Sequence, residues 1–238
     1  MHSHQWTLAS VLTILFAMQS GASNAEPRIG TAASTRPNVE AVGVGSTQTL
    51  SAGSEIYANQ TVRTGNRGMA DLVFLDKTNL SVGPTSEVRL DKFVYDPTGS
   101  SGSVVLQATR GAFRLVTGSQ AKHAYQVSTP HGTLGVRGTV VELLVNKPGE
   151  ECVTKLRLVE GQAEYRIAKT GKVARLTDPN RNNVACISAS GQVTYSTSAQ
   201  SILSFSTTTT PPPPPGFVPG GGTTPIAPPP VVSPTTPL

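Results

Sequence analysis

From Val39 to Tyr195 the apolar residues recur at every second position, and a turn signal interrupts them roughly every 8–12 residues. This alternation lays one set of side chains along one face of an extended strand; an amphipathic helix would need a period near 3.6. In Met69–Leu75, Ala70, Leu72 and Phe74 share a face, and in Thr78–Val82 so do Leu80 and Val82. Ser103–Thr109, Ala112–Thr117, Tyr125–Thr129, Val140–Val145, Cys152–Val159, Gln162–Ala168, Lys172–Leu176 and Val184–Ile187 read the same way. Between them stand Thr64–Gly68, Gly83-Pro84, Asp96–Gly102, Asn146–Glu151 and Asp178–Asn180, rich in Gly, Pro, Asn and Asp. Asp76-Lys77, Glu160-Gly161 and Thr170-Gly171 are short enough for tight hairpins. No stretch shows a capped helical period. The pattern predicts an all-β body of about a dozen short strands, as a sandwich, a barrel or a β-solenoid, and no fixed internal repeat singles out the solenoid.

Charge and proline divide the rest. All 19 Lys/Arg and all 14 Asp/Glu lie between Glu26 and Arg181, and 12 of the 19 prolines fall between Pro211 and Pro237. Trp6–Met18 is an uncharged, mostly apolar run, too short to span a bilayer as a helix, where about 20 residues are needed. Small and polar residues follow, with Ser23 and Ala25 at the −3 and −1 positions of a cleavage site before Glu26. This is the form of a secretory signal peptide, although its first residues carry His2 and His4 in place of Lys or Arg. The expected layout is a signal peptide at 1–25, a linker at 26–38, a β domain at 39–198 and a disordered tail at 199–238. The tail runs through Thr, Pro and Gly blocks that offer too little apolar surface to offset the entropy of ordering. The expected location is the periplasm or the medium, with no transmembrane anchor after cleavage.

The search for chemistry is mostly negative. Past the leader only His123 and His131 remain, with Pro130 breaking any strand between them, and no CxxC or histidine pair has zinc spacing. There is no G-x-S-x-G elbow, no phosphate loop and no dinucleotide fingerprint. The net charge of +5 is spread over residues of both signs, unlike a nucleic-acid surface. The chain reads as neither an enzyme nor a cofactor, metal or nucleic-acid binder.

Cys152 and Cys186 each sit in a short apolar run, as either a disulfide in an oxidising compartment or two buried thiols. The densest unusual segment is STPHGTLGVRGT (Ser128–Thr139), in which Gly132, Gly135 and Gly138 recur every third position and Arg137 precedes the last. Glycine there admits a bulge, a turn or a close backbone approach. Two readings stand: a corner between strands with Arg137 in an internal ion pair, or a recognition site with the guanidinium presented to a partner's carboxylate.

Three ordered blocks resemble one family. They are VRTGNRGMADLVFLDKTNLSVGPTSEVRLDKF (Val62–Phe93), GAFRLVTG (Gly111–Gly118) and VSTPHGTLGVRGT (Val127–Thr139), and they are similar to the FecR domain of bacterial envelope proteins. EGQAEY (Glu160–Tyr165) and SASGQVT (Ser188–Thr194) resemble that family's closing strands. Lys77 stands where the family usually has glycine, and His131 where a small or apolar residue is common. In its signalling members an anti-sigma segment and a membrane helix precede this domain, which receives a signal from an outer-membrane receptor. A signal peptide takes their place here, so the resemblance implies an envelope β domain that binds a protein partner, or alternatively a ligand or glycan.

Overall fold

The computed structural model describes residues 26–98 and 101–205, so the leader and residues 206–238 lie outside the described residues. It is built from β1 (Arg28–Arg36), β2 (Val39–Gly43), β3 (Ser46–Thr49), β4 (Glu55–Tyr57), β5 (Thr61–Thr64), β6 (Met69–Phe74), β7 (Asn79–Val82) and β8 (Glu87–Val94). There follow β9 (Ser103–Val116), β10 (Tyr125–Thr129), β11 (Gly132–Val145), β12 (Thr154–Ile167), β13 (Val173–Leu176), β14 (Val184–Ile187) and β15 (Val193–Ser196). No helix occurs among the described residues, and all 15 strands join one mixed sheet, with β9 and β10 parallel.

Three long strands fold this sheet into two layers. The first half of β9 runs between β8 and β10, and its second half between β7 and β11. β11 begins between β10 and β12 and ends between β9 and β12. β12 begins against β14 and ends against β13. One layer is therefore β3-β2-β5-β8-β9-β10-β11-β12-β13, and the other is β4-β1-β6-β7-β9-β11-β12-β14-β15. Leu106, Val127 and Leu134 of the first layer line the same small void as Phe113, Leu115 and Leu143 of the second, so the layers face each other. The architecture is a sandwich whose layers share strands, with corners made by bulges.

Each corner is a glycine in the left-handed region: Gly111 (φ +106°), Gly138 (φ +58°) and Gly161 (φ +79°). A side chain on Gly161 would strike the Gly138 carbonyl, so β11 and β12 turn the corner back to back. Glu160-Gly161 is accordingly a bulge within one continuous strand, where the sequence suggests a hairpin. Asp76-Lys77 and Thr170-Gly171 do make hairpins. Asp76 is fully buried and accepts hydrogen bonds from the Thr78 N–H (3.0 Å), the Thr78 hydroxyl (2.7 Å) and the Tyr125 hydroxyl (3.0 Å). Lys77 occupies the left-handed region at φ +68°.

Two boundaries differ from the sequence expectation. Residues 26–38 are not a linker, because Arg28–Arg36 is strand β1, paired with β6 and β4. Its burial is carried by Ile29 and Ala32 among small and polar neighbours, which gives almost no apolar alternation to read. At the other end, residues 199–205 do not belong with the tail. Leu203 is buried, and the Phe205 ring lies where a side chain on Gly83 would be.

Candidate functional site

The signature glycines separate by role. Gly132 pairs with Thr129 and Ile167, and a side chain there would strike the Arg166 carbonyl and the Tyr165 ring. Gly138 supplies the corner. Gly135 does neither: it stands across from Gln126 and Glu164, outside the left-handed region, and an added Cβ would meet nothing within 4 Å.

Arg137 is exposed and forms no ion pair among the described residues. The corner half of the structural reading therefore holds, and the internal ion pair does not. Arg137 instead borders a shallow groove of about 170 Å³, together with His123, Gly135, Gln162, Glu164 and Thr177, over a floor of Tyr125, Val136 and Ala163. Burial, and then the facing Asp76 charge, push the Tyr125 hydroxyl up to about 12.

The internal ion pair lies elsewhere, on the outward face of the second layer. Arg114, Glu142 and Arg157 stand side by side on β9, β11 and β12. Glu142 is 1% exposed, and its Oε1 lies 3.1 Å from Arg114 Nη1 and 3.3 Å from Arg157 Nη1. Residues 198–205 cover this row as a strap. The Ile202 N–H donates to Glu142 Oε2 (2.9 Å), and Arg157 donates to the carbonyls of Ser198 (3.2 Å) and Ala199 (2.8 Å). Sequence reasoning passes over these three residues. Their signal is a lone charge inside an apolar strand run, as in GAFRLV, VVELLV and LRLV, with alternating sign.

Cys152 and Cys186 are bridged, with their Cα atoms 5.3 Å apart, and no free cysteine remains among the described residues. The bridge ties the segment just before β12 to Cys186 of β14, next to the Lys155–Cys186 register pair. No group of three or more His, Cys, Asp or Glu among the described residues is placed to hold a metal ion.

Edge strand β3 presents a second surface. All four of its residues, Ser-Thr-Gln-Thr, are exposed and uncharged. The Leu50 N–H donates to the Val39 carbonyl, so by the antiparallel alternation Ser46 and Gln48 bond to β2 while the amides and carbonyls of Thr47 and Thr49 point off the sheet. At the hairpin tip Val44 is 90% exposed. Lysine, proline and bulges, the usual guards of such an edge, are absent from it.

Residues 60–164 match the family described as FecR protein. The chain carries a FecR domain. The matched stretch takes in β5 through most of β12, and so all three glycine corners, the Asp76 turn, and Glu142 with both its arginines. No curated protein matches the chain. Two solved structures from Parabacteroides distasonis ATCC 8503, each described as a "putative anti-sigma factor", are similar to it at 11% and 13% identity. Each alignment covers 58% of this chain and 59% of that one, with a TM-score of 0.45. Outside the family match, the FecR domain is extended by β1–β4 on one side and β13–β15 with the strap on the other.

Proposed function

We propose that this chain is an exported, non-enzymatic envelope protein whose FecR domain binds a protein partner by main-chain pairing at β3. The observation that carries the reading is the open edge: outward amides and carbonyls at Thr47 and Thr49, next to a Val44 side chain almost wholly in water. Strand addition draws its affinity from such groups, and an exposed apolar residue beside them supplies contact area. The disulfide and the apolar N-terminal run support export, since disulfides persist in oxidising compartments.

The test uses chain recovered from the periplasm or medium. Its N-terminus should be Glu26, and an intact Met1 would refute export. A photo-crosslinking residue at Gln48 should give one discrete protein adduct in the envelope. Thr47→Pro removes an outward N–H without breaking a ladder bond, so it should abolish the adduct while the protein melts as wild type. An adduct that survives Thr47→Pro, or retention on peptidoglycan in place of an adduct, overturns the pairing.

A further inference from the structure

Folding explains two of the three signature glycines and leaves the third over. Gly132 is required by the Arg166 carbonyl and the Tyr165 ring, and Gly138 by its φ of +58°. At Gly135 the backbone is ordinary and the space is open, so any L-residue fits there. What its missing side chain does is leave a notch in the groove beside Arg137.

The charges around that notch are unequal. Glu164 is already met by Arg175, with Nε 3.1 Å from Oε1. Arg137 has no anionic partner among the described residues, and Lys122 brings a second cation close by, its Cε 3.9 Å from where a Gly138 side chain would begin. His123 lines the same groove. An excess of positive charge around a small concave notch, with a planar donor fork at its rim, matches a carboxylate. A groove of about 170 Å³ takes one side chain and is small beside the pockets of roughly 300–1,000 Å³ that enclose whole small molecules.

We infer that the Gly135–Arg137 groove receives an acidic side chain of a peptide, with Arg137 hydrogen-bonding its carboxylate. This goes beyond pairing at β3. The two lie far apart in the first layer's strand order, and the inference stands or falls with the purified chain alone.

The experiment is an NMR titration of the full mature chain with an end-blocked peptide of alternating Ala and Glu, against the same peptide with Gln for Glu. The Glu peptide should shift the amides of Gly135 and Gly138 and the side-chain N–H of Arg137 saturably, and the Gln peptide should not. Arg137→Ala should weaken binding about tenfold or more while the melting temperature holds. Gly135→Leu should fold as wild type and block the peptide by filling the notch. No shift at millimolar peptide, equal shifts with the Gln peptide, or undiminished binding to Gly135→Leu would each overturn the inference. So would tighter binding of inorganic phosphate or an oligogalacturonate, which would assign the groove to another anion. A Gly135→Leu chain that fails to fold would show the glycine to be structural and remove the argument's foundation.

Discussion

Lys77 stands where the resemblance to the FecR domain leads one to expect glycine. Lys77 sits at φ +68°, a conformation that costs an ordinary L-residue about 1 kcal/mol or more. The turn holds because Asp76, at its base, is tied by both Thr78 donors and Tyr125. Lys77→Gly should therefore raise stability by about 0.5–1 kcal/mol, read as a higher denaturant midpoint at unchanged slope. Charged residues elsewhere sort by burial. Glu142→Ala leaves two arginines and a backbone amide facing an empty site and should cost about 3–5 kcal/mol, whereas Arg137→Ala should stay within about 0.5 kcal/mol. Equal losses from the two in denaturant titration would contradict this assignment. Tyr125 gives a pH signature. Its hydroxyl ionises near 10 in the unfolded chain and near 12 when folded, so the unfolded state releases its proton first. That contribution is full below about pH 10 and falls away toward pH 12, by on the order of 2 kcal/mol. Comparing wild type with Tyr125→Phe across this range should show the steeper alkaline loss in wild type.

At the level of strands, alternation is legible in sequence and layer-switching is not. Glu160-Gly161 and Thr170-Gly171 have the same character, a polar residue before glycine between apolar runs. The second is a hairpin because Ala168–Lys172 folds back through the Ile167 N–H to Lys172 carbonyl bond. The first is a bulge because β11 turns beside it at Gly138. That distinction depends on a neighbour some twenty residues away and has no local trace. β1 escapes for a similar reason: RIGTAASTR buries Ile29 and Ala32 and acquires its strand identity from β6. Arg137 is legible as unusual, but only the structure shows that it has no ion pair among the described residues. The strap lies beyond the last alternating run, and Ile202, Leu203 and Phe205 show no strand period to read; it is held by buried Leu203, by the Ile202 amide and by Arg157 on Ser198 and Ala199. Chains ended after Phe205 and after Thr197 isolate its contribution. The shorter one loses hydrogen bonds to charged groups and should be less stable by about 2–4 kcal/mol in denaturant titration.

Across the molecule, β9, β11 and β12 belong to both layers, so neither layer can lose its strands alone. Calorimetry of the disulfide-bonded chain should show one transition, with the calorimetric and van't Hoff enthalpies equal. Two resolved transitions would mean that the layers melt separately. The strap has a mechanical counterpart. A pull from residues beyond 205 enters at Phe205 and loads the strap before any strand. The Ile202 amide on Glu142 and the Arg157 hold on Ser198 and Ala199 carry that tension in turn. These few bonds would yield one after another before the pull loads β15, the strand that leads into the strap.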